Sequence, residues 1–445
     1  MTLRAVSVFL QDFAEQNWID IQKRIERKMG FSQQILDIAA EAEKALAPAF
    51  AEFDRIAQTN TERVLESFRE HRVSDSMFGG STGYGYGDFG RDAMDAIYAD
   101  VFGAEAGFVR YGMVSGTHAI STVLFGLLRP NDIMLAVTGK PYDTLFEVIG
   151  EGKGNGDGSL ADFGVTYDDV ALLPDGAIDF EGIAKKLEEH GARVKVVFIQ
   201  RSKGYANRPT LSAKEIGEIV SFVKQRCGAY VVVDNCYGEF CDEAEPTAYG
   251  ADIIVGSLIK NPGGGIAKMG GYVCGTKRAV ELVSYRLTTI GIGTECGATL
   301  GQTADICKGF FFAPHVVAQA KKTAAFASYM FEKLGFVVEP KYNEARHDII
   351  QTVQFGNPEG LCAFCRGIQK GSPVDSFVVP EPWGMPGYAD EVIMAAGTFT
   401  QGSSIEISAD GPLRPPYTAY FQGGLTYESG KYAIMTAAES LLKEI

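Results

Sequence analysis

Apolar and polar positions divide the chain into three textures. Up to residue 75 the spacing is helical. Gln33, Leu36, Ile38, Ala39 and Ala42 lead into an Ala/Glu-rich stretch through Phe53, and Leu65, Phe68 and Arg69 continue it after a break predicted near Thr59–Thr61. From residue 76 to about 300, short continuous apolar runs alternate with amphipathic segments. Strands are predicted at Phe108–Met113, Ile133–Val137, Val194–Gln200, Tyr230–Val233 and Asp252–Val255, with a further apolar run at Tyr272 and Val273. Between them the spacing predicts helices over Arg91–Phe102, from Ser115-Gly116-Thr117 to about Leu128, from Thr144 to Ile149, over Glu181–His190 and over Ser212–Gln225. Apolar runs of this kind, separated by helices, imply a mostly parallel sheet covered on both faces.

After residue 300 the regularity is lost. A long helix is predicted over Thr303–Leu334, kinked or broken at Pro314. Strands at Phe336–Val338, Ile349–Phe355, Val392–Ala396 and Ile405–Ile407 accompany a helix at Leu361–Ile368, and the chain closes in a helix over Tyr427–Leu442. The expected organisation is a helical arm (1–75), a large α/β domain (76–300) and a smaller α+β domain (301–445). The arm reads either as a packing helix pair or as a wrap around a neighbouring subunit.

Composition narrows the class. With 445 residues, 46% of them apolar and 22% charged, the chain is a folded protein of more than one domain. A net charge of −15 argues against a nucleic-acid partner. No stretch approaches the roughly 20 apolar residues of a membrane span. The N-terminal apolar run is too short for an export signal, so the eight cysteines are expected to be reduced thiols in the cytoplasm.

Candidate chemistry centres on residues 251–275. Here an apolar run reaches Gly256 and Ser257, one lysine follows at 260, and Gly263–Gly265 turns the chain into a second apolar run. Lysine is almost never buried without a partner, and burial lowers its pKa, as an amine nucleophile requires. Lys260 is therefore the candidate Schiff-base residue. Ser115, Gly116 and Thr117 open a helix after a strand, which suits a phosphate; the plain alternative is an N-cap and turn. Asp234 ends a buried strand, where a carboxylate can hold a pyridinium nitrogen or simply cap a turn. Tyr142 is either a stacking aromatic or core, and Ser257 either a phosphate donor or a turn serine.

Weaker signals remain. His118 adjoins Thr117 and either lines a pocket or is structural. Cys236 stands two residues after Asp234. Cys362 and Cys365 have CxxC spacing, but no second ligand pair, and fit one helix face as buried thiols. Gly263–Lys268 lacks the Gly-Lys-Ser/Thr ending of a phosphate loop, and Lys268 is expected at the surface.

The order of these residues is more specific than any of them alone. An aromatic lies 26 residues after Gly116, and Ser-x-x-Lys ends 26 residues after Asp234. This resembles the fold-type I pyridoxal-phosphate enzymes, and within them the cystathionine lyases and methionine γ-lyases. Gly139-Lys-Pro-Tyr-Asp-Thr144, Ile199–Tyr205, Gly256–Gly265, Ser372-Pro-Val-Asp375, Met385-Pro-Gly-Tyr388 and Tyr420–Tyr427 resemble the methionine γ-lyase-like family associated with aluminium resistance. The resemblance covers nearly the whole chain from about residue 30. It implies a seven-stranded, mostly parallel sheet and covalent pyridoxal 5′-phosphate as an aldimine at Lys260. Asp234 would pair the ring nitrogen and Tyr142 would stack on the ring. Ser115, Gly116, Thr117 and Ser257 would hold the phosphate.

The implied reaction is carbon–sulfur elimination on a small sulfur amino acid; the alternatives are another reaction of this fold type, as an aminotransferase, aldolase or decarboxylase, or a non-catalytic metal-tolerance role. The implied assembly is a homotetramer, a dimer of dimers with shared sites. Arg414 is the candidate for the substrate carboxylate, the plain alternative being a surface or loop salt bridge, with Arg201 or Arg208 competing. Tyr84 and Tyr86, in the glycine-rich loop 79–90, would reach the neighbouring subunit's site. The related lyases use a Tyr-x-Arg pair there; here the arginine is displaced to Arg91 and Asp88 stands near its place, so an Arg91–phosphate contact is not expected.

Overall fold

The computed structural model describes residues 30–150, 154, 156–206, 208–385, 388 and 390–444. The helical expectation for residues 1–29 lies outside them.

Helix α1 (Gln33–Glu70) is continuous where a break was expected. The polar triplet Thr59-Asn60-Thr61 does not interrupt it. The Thr59 and Thr61 hydroxyls bond back to the Arg55 and Ala57 carbonyls, 3.2 and 2.7 Å away. Asn60 is buried and donates to the carbonyls of Phe240 and Asp242. Its polarity is a tertiary contact and not a loop signal.

The next elements build one sheet. They are α2 (Phe89–Val101), β1 (Ala106–Arg110), α3 (Gly116–Leu127), β2 (Ile133–Ala136), α4 (Asp143–Ile149), β3 (Thr166–Asp169), α5 (Phe180–His190), β4 (Val194–Gln200), α6 (Ala213–Lys224), β5 (Tyr230–Asp234), β6 (Ile253–Ser257), β7 (Gly271–Gly275) and α7 (Lys277–Leu287). The seven strands run in the order β1-β7-β6-β5-β4-β2-β3, parallel except that β7 is antiparallel to both neighbours. The central strands are apolar without alternation because each face has its own core. Val197, Ile199, Val231, Val233 and Ile254 face α2, α5, α6 and the long helix α8 (Thr303–Lys333). Val196, Phe198, Val232, Ile253 and Val255 face α3 and α7. Full burial of each such side chain contributes roughly 1.5–3 kcal/mol. The polar edge strand β3 and helix α7 escaped the apolar pattern, as did β12 below.

Helix α8 runs through Pro314 without ending, so no break occurs there. Ala313, Pro314, Val316 and Val317 are all buried, so packing compensates for the one hydrogen bond that proline removes. The second sheet is antiparallel, ordered β10-β11-β12-β9-β8, from β8 (Val337–Glu339), β9 (Ile350–Gln354), β10 (Val392–Ala395), β11 (Ser408–Pro412) and β12 (Thr418–Gln422). Helices α9 (Pro358–Gly371) and α10 (Tyr427–Glu444) cover it together with α8 and α1. The strand expected at Ile405–Ile407 is displaced. Those isoleucines are buried in a turn, and the pairing residues are Ser408, Ala409 and Asp410. Ser-Ala-Asp-Gly-Pro has little strand propensity of its own; its neighbours impose the conformation.

Among the described residues, no helix is long and apolar enough to cross a membrane, and no cluster of three His, Cys, Asp or Glu residues could hold a metal. All eight cysteines are free. Cys362 and Cys365 share α9 and are buried, in line with their reading as core thiols.

Candidate active site

A cavity of about 320 Å³ opens at the carboxyl ends of the parallel strands, with the second sheet as its far wall. This is where ligands of open α/β sheets bind, because the strand ends and helix N-termini converge there. β4 ends in Gln200, β5 in Asp234 and β6 in Ser257. Their register sets Gln200 opposite Asp234 and Asp234 opposite Val255, so one row of strand ends forms the floor. Ser115, Gly116, Thr117, Tyr142, Asp234, Ser257 and Lys260 all line this one cavity.

The α3 end has the form of an anion cup. The Ser115 side chain caps the helix by accepting from the His118 N–H at 3.0 Å, leaving earlier N–H groups of the first turn free. Gly116 faces Ser257 closely: a Cβ there would lie 3.6 Å from the Ser257 Cβ and 3.5 Å from the Cys236 sulfur. The Ser257 hydroxyl is buried and has no hydrogen-bond partner among the described residues. An orphaned hydroxyl facing a helix N-terminus fits a phosphate oxygen. The Thr117 hydroxyl bonds the Tyr142 hydroxyl and, at 3.3 Å, that of Thr144. Gln200 accepts from the Tyr142 N–H at 2.8 Å and so fixes the ring's backbone.

Asp234 is the buried carboxylate on the floor. Burial raises its pKa, and the Cys236 N–H, the Cys236 thiol and Lys260 offset that only in part. Such a group gains most from a cationic partner, as a protonated ring nitrogen would be. Lys260 extends from the turn after β6, its amine 3.7 Å from the centre of the Tyr237 ring. Burial opposes its charge, but Tyr237, Cys236 and Asp234 outweigh burial and hold the pKa above the ordinary lysine range. Burial alone was expected to lower this pKa; these neighbours reverse the direction.

The structure separates the arginines. Arg201 does not reach the cavity. It is fully buried behind the sheet, bound to Asp242 at 2.7 Å, Glu245 at 3.0 Å and Asn235 at 2.7 Å. With a fourth bond to the Leu211 carbonyl the guanidinium is held in a closed network away from the cavity, which rules it out as a substrate ligand. Arg208 is likewise occupied, by the Gln200, Ser202 and Lys203 carbonyls. Arg414 sits at the rim beyond β11, paired with Asp390 at 2.9 Å and about two-fifths exposed. Its charge is felt by Asp143, a residue of the cavity wall.

Tyr84 and Tyr86 stack on each other at 5.6 Å, are largely exposed and do not line this cavity. Arg91 is buried and staples their loop through the Gly85 and Gly297 carbonyls, which accounts for its displacement from a phosphate-binding position. His118 is exposed, its Nδ1 accepting from the Val114 N–H, and is absent from the cavity wall. Lys268 is exposed and pairs with Asp305, as expected.

Sequence reasoning did not find Gln200, Tyr237, Asp410 or Gln422 as site residues. Asp410 and Gln422 arrive on the second sheet, from a strand displaced from its expected place and one not expected at all. No spacing from Lys260 signals them.

A buried lysine, a buried carboxylate at a strand end and a helix-end anion cup meet on a sheet of the fold-type I pyridoxal-phosphate fold. Comparison with known proteins agrees. The pyridoxal-5′-phosphate dependent protein YhfS of Escherichia coli shares the fold at 15% identity, with a TM-score of 0.59 over 87% of this chain and 96% of that one. The chain belongs to the methionine gamma-lyase family, whose model matches residues 35–442. It is 53% identical to the uncharacterized protein YnbB of Bacillus subtilis (strain 168), over 91% of this chain and 96% of that protein. A Clostridium novyi NT structure, named as a carbon-sulfur lyase involved in aluminum resistance, matches with a TM-score of 0.90 at 48% identity. It covers 94% of this chain and 98% of its own. A Clostridium acetobutylicum structure, provisionally named a cystathionine beta-lyase involved in aluminum resistance, matches with a TM-score of 0.91 at 46% identity, over 95% and 99% of the two chains.

Proposed function

We propose that this protein is a pyridoxal-phosphate-dependent carbon–sulfur lyase that eliminates a thiol from a sulfur-containing amino acid, leaving a 2-oxo acid and ammonia. The observation that carries the reading is the meeting of Lys260, Asp234 and the unpartnered Ser257 hydroxyl in one cavity. Gly116 and Thr117 backbone N–H groups and the Ser257 hydroxyl would bind the phosphate, and the Tyr142 ring would lie against the cofactor. When bound, pyridoxal phosphate supplies an electron sink for negative charge at the substrate α carbon. Asp234 holds a proton on the pyridine nitrogen, which deepens that sink. The Lys260 amine takes the α-proton, and it is the base within the cavity that can deliver it to the departing side. Arg414 at the rim would receive the α-carboxylate through its planar fork.

The test is a screen of cystathionine, cysteine, cystine, homocysteine and methionine for 2-oxo acid release. Pyruvate identifies β-elimination and 2-oxobutyrate γ-elimination. Release of carbon dioxide, or amino-group transfer without thiol release, would replace this reading with another reaction of the same fold class.

A further inference from the structure

Asp410 has no part in the chemistry above, yet it occupies the cavity wall facing Lys260. It lies on β11, held between Met394 of β10 and Tyr420 of β12 by strand pairing, so its position is set by two neighbouring strands. The residue is 9% exposed, and its Oδ1 receives no hydrogen bond among the described residues. Three tyrosines surround it. Tyr205 approaches the carboxyl group and favours its charged form. The Tyr205 ring lies 5.6 Å from Tyr388 and 5.1 Å from Tyr420, and Asp410 acts electrostatically on both of these. A carboxylate beside several aromatic faces is an environment for an organic cation.

The charges of the wall point the same way. The charged side chains lining the cavity are Asp143, Asp234, Asp410 and Lys260. Lys260 is committed to the cofactor, Asp234 to the ring nitrogen, and Arg414 to the α-carboxylate. A second carboxylate on the ligand would find no remaining cation in the wall. A second ammonium would find Asp410. Burial keeps the Asp410 carboxyl up at about 7 against the pull of Tyr205 and Lys260, so an arriving cation would be what completes its ionisation.

We propose that Asp410, framed by Tyr205, Tyr388 and Tyr420, recognises a primary ammonium at the end of the ligand's side chain, so that the thiol released is an aminoalkyl thiol. The inference rests on the lyase reading only for the release step. For S-(2-aminoethyl)cysteine the Cα–H and Cβ–S bonds break and sulfur leaves with the bonding pair and takes a proton. With one water consumed, the products are 2-aminoethanethiol, pyruvate and ammonia.

Two measurements on the cofactor-loaded full chain test it. The first compares binding of lysine and norleucine by calorimetry; the two differ in the terminal ammonium, and neither can eliminate a thiol. Lysine should bind at least about tenfold more tightly, and Asp410→Asn should bring the two within about twofold. The second compares kcat/KM for S-(2-aminoethyl)cysteine and S-propylcysteine, whose ratio should fall by the same factor in Asp410→Asn. Equal binding of lysine and norleucine by the unaltered protein overturns the proposal, and does so without any variant. A ratio unchanged in Asp410→Asn also overturns it. A lysine preference without 2-oxo acid release from any thio-amino acid would overturn the lyase reading and leave the ammonium subsite standing.

Discussion

Two buried polar clusters lie back to back across β5 and β6, and they differ in one respect. Behind the sheet, Arg201 is closed on itself: Asp242, Glu245 and Asn235 take its guanidinium, while His347 and the Ala213 N–H complete Asp242. In front, among the described residues, the Ser257 hydroxyl and Asp410 Oδ1 have no hydrogen-bond partner and Asp234 is in no ion pair. Both clusters join basic and acidic side chains that are distant in sequence. One is saturated and serves the fold. The other lines a cavity and is the one proposed to serve a ligand. Desolvating a polar group without a partner costs free energy, and the Ser257 hydroxyl and Asp410 Oδ1 carry that cost beside the cavity.

Substitutions should separate the clusters. The largest effect is expected from Lys260→Ala, which should lower 2-oxo acid release by at least about a thousandfold and abolish the visible absorbance of the bound cofactor, with the melting temperature of the cofactor-free protein little changed. Arg201→Met should do the reverse. It removes the guanidinium from buried Glu245 and from Asp242 and should cost about 3–5 kcal/mol in denaturant unfolding, with the cavity lining untouched. If Arg201→Met folds with full stability and loses only substrate affinity, the assignment of Arg201 to structure fails.

Glu239 tests the boundary between the clusters. Its Oε1 accepts from Tyr272 at 2.9 Å, its Oε2 has no partner among the described residues, and burial raises its pKa from 4.5 to about 8. The folded protein therefore holds a proton that the unfolded chain releases above about pH 4.5. This contribution is fully present below that value and declines until pH passes 8, by at most about 1.4 kcal/mol per pH unit. Unfolding of Glu239→Gln followed across pH 5–8 should show a shallower fall than the unaltered protein; an equal slope would place the effect elsewhere.

Ser257→Ala should be milder and opposite in its two readouts. Removing an orphaned buried hydroxyl should stabilise the cofactor-free protein by roughly 1 kcal/mol, while pyridoxal phosphate binds about tenfold more weakly. The smallest change is expected from Lys268→Ala, within about 0.5 kcal/mol, because its pair with Asp305 is exposed to solvent.

Much of the front cluster was legible in advance. Lys260, Asp234, Ser257, Gly116 and Tyr142 stand at strand ends and helix starts, where local pattern and motif spacing speak about the same place. The arginines were not legible. Arg201 and Arg414 differ in role because one follows a central strand with its side chain directed beneath the sheet and the other caps a hairpin at the cavity rim, and nothing in either tripeptide records that difference. Asn60 misled for the same reason, since a polar residue that donates to a distant carbonyl looks locally like a helix break.

By itself, then, the amino-acid sequence determined the alternation of β and α, the doubly covered sheet and the order of the cofactor residues, because these follow from short-range periodicity and from spacings within one βαβ layer. Tertiary structure alone decided which charges are satisfied and which are left for a ligand. Asp410 enters the site from a strand of weak propensity in a second sheet, some 150 residues after Lys260. Its partnership with the tyrosines exists only once two sheets with separate cores close over one cavity.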